Sequence, residues 1–193
     1  MQLSRATPDD SAADPERNSY HNAVTASTLT SSDPRERFAA EADRILHLAA
    51  EVARSLVGAH QAAIAFIVDG DWTTARKYFS LSQKYAAWAD YRTPAVGVGI
   101  HALILTTNQP LRLTQAELEA HPAWQAFGTE AGKHPPMRGW LAVPLVGADG
   151  RNYGLLQLSD KAEGEFSARD EAVVMQLAEL TALALDALAQ LTA

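Results

Sequence analysis

Six histidines, a scatter of aromatic residues and the charged groups near them are the side chains here that could do chemistry, because the chain has no cysteine. That absence removes disulfides, thiolate nucleophiles, Cys-ligated zinc and thioether-linked chromophores together. No G-x-S-x-G stretch offers a serine nucleophile on a sharp turn. His47, His60 and His121 are not spaced to share a metal ion and no H-x-x-x-H pair occurs, so no metal site is expected. His101, on an apolar helical segment, and His134, beside Pro135-Pro136, are the two candidates for axial ligation of a haem. A lone histidine on an apolar helix serves equally as a packed residue. The densest feature is aromatic: Tyr85, Trp88, Asp90 and Tyr91 fall within Lys84 to Thr93, and Trp124, Phe127 and Arg138 follow. Aromatic walls with a few polar groups line small-molecule pockets, so Tyr85, Trp88, Asp90, Tyr91, His101, Trp124, Phe127, His134 and Arg138 form the candidate ligand-binding set. Each has a structural alternative, with Trp88, Trp124 and Trp140 capping the core and Arg138 pairing with an acid.

The elements that must position these groups are legible from periodicity. Arg138 to Phe166 reads as a hairpin, a loop and the approach to a helix. Leu141, Val143 and Leu145 alternate with Ala142, Pro144 and Val146, Asp149-Gly150 supplies a turn, and Tyr153, Leu155 and Gln157 alternate with Gly154, Leu156 and Leu158. Asp33-Pro34 starts a helix that Gly58 ends. Its apolar positions Phe38, Ala42, Ile45, Ala49, Val52 and Leu56 recur at alternating four and three, a stripe that suits either a coiled-coil seam or a face on a sheet. Ala62 to Val68 is a continuous apolar run expected to be a buried strand, and Trp72 to Gln83 its hairpin partner, with Ala75, Lys77, Phe79 and Leu81 on one face. Ile100 to Thr107 reads as a helix, Leu111 and Leu113 as an edge strand, Thr114 to Glu117 as a capping box, and Ala123 to Phe127 as a further helical turn. The last helix, capped by Ser167, carries two stripes: Val173, Leu177, Leu180, Ala184, Ala187, Leu191, and Val174, Ala178, Thr181, Leu185, Leu188. One covers a sheet and the other is left for a partner, so a homodimer is expected. Strands in hairpins separated by helices imply an α+β fold: an antiparallel sheet with the long terminal helices on one face and loops and short helices on the other.

Composition bounds the rest. The chain has 193 residues, 47% of them hydrophobic and 20% charged, which suits one globular domain over 34–193 after a flexible, acidic tail over 1–33. A formal charge of −7 with scattered lysine and arginine argues against nucleic acid as a partner. No run approaches the about 18 consecutive apolar residues of a membrane span, and the first residues lack an apolar signal core. The expectation is a cytoplasmic protein with no membrane partner.

The element order resembles that of GAF domains over roughly Pro34 to Leu191. Cyclic-nucleotide phosphodiesterase GAF domains carry Asn-Lys, then Phe, three residues and Asp-Glu; here Asp160-Lys161, Phe166 and Asp170-Glu171 stand in those places, with Asp160 departing from the Asn. The resemblance implies a salt bridge between Lys161 and Asp170 that closes the loop on the last helix. The segments R-L-T-Q-A-E-L-E-A-H-P-A-W and H-P-P-M-R-G-W-L are similar to sensor modules of bacterial multi-sensor histidine kinases, although this chain carries no ATP-binding glycine-rich box. Two activities found in the family, free methionine-R-sulfoxide reduction and covalent chromophore attachment, pass through cysteine and are therefore not expected; noncovalent tetrapyrrole binding stays open. The resemblance thus implies a noncatalytic, small-molecule-sensing module of a signalling system, dimerising through its terminal helices and passing its signal to a kinase or other effector. The alternative is a scaffold or dimerisation module without a ligand. No residue pattern names the ligand or a cofactor.

Overall fold

A computed structural model describes residues 33–68, 71–89, 99–124 and 134–192. The 1–33 tail therefore lies outside the described residues except for Asp33. Helix α1, Pro34–Val57, begins where Asp33 Oδ1 accepts from the Arg35 amide at 2.9 Å and ends at Gly58, whose φ of 68° closes the last turn through an N–H bond to the Arg54 carbonyl. Its buried side is Ala42, Leu46, Ala49, Ala50, Ala53 and Val57. That face is centred beside the four-three stripe rather than on it, so Ile45 and Val52 are half-buried and Leu56 is exposed. The alanines let the helix lie close to the sheet.

Strands β1 (Ala59–Val68), β2 (Asp71–Leu81), β3 (Leu111–Leu113), β4 (Trp140–Val146) and β5 (Asn152–Lys161) form one five-stranded sheet in the order β2-β1-β5-β4-β3, every pair antiparallel. β1 starts at Ala59, ahead of the apolar run, because Ala59 pairs with Lys161 and Gln61 with Ser159. The two hairpins expected from sequence meet at the β1–β5 junction. Gly154 makes that junction possible: a Cβ there would lie 1.9 Å from the Ala65 carbonyl oxygen, and its φ is 131°. After β2 the chain turns through a short 3-10 helix, Gln83–Trp88, where the sequence showed no period. Helices α2 (Ile100–Thr107) and α3 (Gln115–Ala120) follow, the latter opened by a complete capping box between Thr114 and Glu117. Ala123 and Trp124 belong to a turn rather than a helix, and Phe127 lies outside the described residues.

The last helix, α4 (Ala168–Thr192), packs beside α1 on the same sheet face. Val174, Ala178, Thr181, Ala182 and Leu185 are buried, whereas Leu180, Leu183 and Leu191 are exposed. By length and composition alone residues 168–191 could cross a membrane, but their buried stripe belongs to the sheet core. Two tyrosine–carboxylate bonds pin the terminal helices: Tyr78 to Asp43 on α1, and Tyr153 to Asp186 on α4, each at 2.5 Å. A second, smaller core on the opposite face joins Ile100, Ile104 and Leu118 to Trp140, Ala142, Leu155 and Ala65. The result is the expected α+β architecture, with the long helices on one side and α2, α3 and the loops on the other.

Candidate functional site

Register decides which side chains meet on the face away from the long helices. Leu81, Gln61, Ser159, Trp140 and Leu113 form one row across the sheet, and Phe79, Ala63, Gln157, Ala142 and Leu111 the next. Lys77, opposite Ala65, begins a third. α2 lies over this floor and presents His101 to it. His101 Nε2 lies 2.8 Å from Gln157 Oε1, and the Trp140 indole nitrogen lies 3.0 Å from the same atom. An indole N–H only donates, so the shared Gln157 atom is the oxygen and His101 must also donate to it. Of the two neutral tautomers this selects the one with its proton on Nε2 and a lone pair on Nδ1. Burial pushes the His101 pKa down to about 4, an effect the Gln157 bond partly offsets and the nearby Lys77 charge reinforces. Burial also holds His134 down to about 4, against its bond to the Pro135 carbonyl, with Lys77 and His101 adding to the depression. Burial lowers Lys77 itself.

The cavity bordered by Gln61, Phe79, His134, Trp140, Gln157 and Ser159 has a volume of only about 20 Å³, room for one water. Trp124 packs against the apolar cluster beneath α2 and α3.

The other candidate residues gather at the end of the sheet. Tyr85 is buried on the 3-10 helix, with Trp88 edge-on at 5.6 Å. Its hydroxyl donates to Asp160 Oδ2 at 2.5 Å, and Lys84 Nζ lies 2.5 Å from the same oxygen. Burial and the neighbouring carboxylate push the Tyr85 pKa up to about 12. For Asp160 burial is again the largest single influence and would raise the carboxyl, but Lys84 and Tyr85 together outweigh it and hold the group below the usual range. Asp160 has a φ of 57°, a left-handed conformation in which Asp and Asn are the most tolerated residues with a side chain. The Asn-to-Asp departure seen in the sequence therefore keeps the backbone geometry, and Lys84 and Tyr85 meet the added charge. Lys161, the next residue, lies 2.5 Å from Asp170 Oδ2, which also accepts from the Ser167 amide at 2.7 Å and hydroxyl at 2.8 Å. Arg138 is exposed at the mouth of a separate cleft of about 480 Å³ bordered by Met137, Asp160, Lys161, Glu165 and Phe166.

The candidate set is thus divided: His101, His134 and Trp124 belong to the floor under α2, and Tyr85, Trp88 and Arg138 to the sheet end. Asp90, Tyr91 and Phe127 lie outside the described residues. Sequence reasoning passed over Gln157, Trp140, Gln61 and Lys77 as floor groups. A glutamine inside an otherwise apolar strand was the available signal, but only pairing across strands shows that it meets His101. Among the described residues no group of three or more His, Cys, Asp or Glu side chains could hold a metal ion.

A sheet clasped on one face by its terminal helices, with short helices over the other, defines an α+β module. Residues 39–186 match the GAF domain family, and the chain belongs to it. Solved structures agree on the fold. The GAF domain of a phosphoenolpyruvate-protein phosphotransferase from Coxiella burnetii superposes with a TM-score of 0.59 at 19% identity, covering 88% of this chain and 92% of that one. The cyanobacteriochrome TePixJ GAF domain gives 0.61 at 16% identity, over 77% and 91%. A type II free methionine-R-sulfoxide reductase from Thermoplasma acidophilum gives 0.56 at 16% identity, over 76% and 94%. At these identities the likeness concerns the fold, and GAF domains as a family are signal-sensing modules.

Proposed function

We propose that this protein is a noncatalytic GAF sensor that binds a small molecule on the floor beneath α2 and dimerises through α1 and α4. The observation that carries the reading is His101: a neutral imidazole tethered by Gln157, its Nδ1 lone pair without a hydrogen bond among the described residues, set on a floor of mixed aromatic, apolar and polar groups. An oriented acceptor beside aromatic walls and a few polar groups suits recognition of a small ligand. The noncatalytic part rests on the missing cysteine. Support for self-association comes from the outer helix faces, where Leu56 is 63% and Leu180 64% exposed, with Leu48, Leu183 and Leu191 beside them in exposure. Apolar strips of that length on a monomer mark interaction sites. The proposed partners are a second copy and a downstream signalling kinase or effector, in the cytoplasm, with neither nucleic acid nor membrane involved; the domain occupies 34–193.

Native mass spectrometry of protein from its own cells tests both halves. A dimer carrying a retained small molecule that His101→Ala loses supports the reading, and an unliganded monomer refutes it. A scaffold without a ligand is the second reading, favoured by the 20 Å³ volume of the described cavity; an unliganded dimer, with no thermal shift across a broad ligand screen, would establish it.

A further inference from the structure

The cleft at the sheet end has a chemistry of its own. Met137 borders both it and the small cavity under α2, and the two are otherwise separately lined. At about 480 Å³ it falls within the usual range of small-molecule sites. Asp160 is the informative residue. It is only 5% exposed, and both of its bonds, from Lys84 and Tyr85, fall on Oδ2. Oδ1 accepts from no group among the described residues. Yet no sealed side-chain polar atom among them lacks a partner, so Oδ1 is open, and the space that Asp160 borders is this cleft. A carboxylate oxygen on so buried a residue is costly unless something donates to it. Arg138 and Glu165 border the same space, and neither forms an ion pair among the described residues. Lys161, in contrast, is committed to Asp170.

Charges of both signs therefore stand available around one cleft, with Met137 and Phe166 supplying apolar wall. A simple anion would meet Arg138 but also two carboxylates, and a simple cation would meet the reverse. We propose that the cleft is a binding site for a compact zwitterion of the α-amino acid type, its ammonium group received by Asp160 Oδ1 and Glu165 and its carboxylate by the Arg138 guanidinium. Charge-assisted hydrogen bonds at both ends give the selectivity, and the planar guanidinium matches a carboxylate in two parallel bonds. The site stands apart from His101 and does not rest on the reading of the floor under α2.

Isothermal titration calorimetry of the full chain against the free amino acids tests it. For each amino acid that binds, the amine lacking its carboxylate and the acid lacking its ammonium group are titrated alongside. The expectation is that at least one amino acid binds and that both truncated analogues bind at least tenfold more weakly. Arg138→Gln and Glu165→Gln should each weaken binding at least tenfold while leaving the melting temperature in place, since both residues are exposed. His101→Ala should leave binding unchanged. No heat with any amino acid, equal affinity for either truncated analogue, or indifference to both substitutions would overturn the proposal. Loss of binding in His101→Ala alone would overturn it too, and would move the ligand to the floor under α2.

Discussion

Lys161→Met should destabilise the domain by an amount that vanishes in acid. The side chains of Lys161 and Asp170 are 18% and 15% exposed, so the pair sits between two limits. Solvated pairs contribute about 0–1 kcal/mol, whereas stranding one charge of a buried pair costs roughly 3–5 kcal/mol. Asp170 would not be stranded, because the Ser167 amide and hydroxyl still donate to it. What is lost is one charge-assisted hydrogen bond of about 1.5–3 kcal/mol. Part of that returns, because a cation beside the first turn of α4 opposes the helix dipole by about 0.3–1 kcal/mol. The net loss is about 1–2 kcal/mol, or roughly 2–8 °C in melting temperature for a chain of this size. Burial alone would raise the Asp170 carboxyl, but Lys161 and Ser167 together hold it below its ordinary value of 3.8. A depressed folded-state value means the stabilisation is complete above the ordinary carboxylate range and is lost as pH falls through the depressed value. Urea unfolding of wild type and variant should therefore show the full gap at about pH 7 and a closing gap below about pH 4. A loss under about 0.5 kcal/mol near neutrality, typical of an exposed pair, or a gap that persists in strong acid, would refute the reasoning.

Gly154→Ala should cost at least about 3 kcal/mol or prevent folding, since its Cβ would lie 1.9 Å from the Ala65 carbonyl in the central strand pair; chemical denaturation measures it, and a near-native midpoint would contradict the strand register. Leu180→Glu, on a side chain 64% exposed, should convert a dimer to a folded monomer by light scattering with circular dichroism retained; an unfolded chain would show that α4's outer stripe is core. His101 should remain neutral by NMR titration until about pH 4, because burial disfavours its cation. Its folded-state value lies below the unfolded one, so its contribution to stability is full above the ordinary value of 6.5 and declines as pH falls toward 4; titration near 6.5 would mean the ring is solvated and the Gln157 tether absent.

Periodicity made most of the architecture legible. The two hairpins, the capping box, the edge strand and the two stripes of α4 all follow from spacing, because each depends on residues close in sequence. The buried stripe of α4 and the exposed one separate where the pattern placed them. On α1 the run and the neighbouring Leu46 and Ala53 gave most of the buried face, with Ala42 and Ala49 buried as spaced, but Val52 is half-buried and Leu56 exposed while Ala50, outside the run, is buried. The site was less legible. Gln157 meets His101 from 56 positions away and Lys84 meets Asp160 from 76, and neither distance leaves a trace in local spacing. Aromatic density found Tyr85 and Trp88 but not that they serve the sheet end, since that depends on where the 3-10 helix docks.

The step from Asp160 to Lys161 shows why a signature position can change residue type and keep its place. The chain leaves β5 here through a left-handed residue, so the position selects for side chains that tolerate positive φ, a demand that Asn and Asp meet alike. What differs is the charge, and this chain answers it locally with Lys84 and Tyr85 on the 3-10 helix. Consecutive residues are then held by different elements: Asp160 by the turn after β2, Lys161 by the first turn of α4. With the Asp160 amide also bonded to the Arg138 carbonyl at 2.8 Å, the approach to β4, the 3-10 helix and the start of α4 are fixed to one another through two adjacent residues. Displacing the 3-10 helix or the start of α4 must strain a short ion pair, and displacing the approach to β4 must strain the Asp160–Arg138 backbone bond. The sheet end is therefore a place in this fold where the 3-10 helix, the approach to β4 and the start of α4 are tied together.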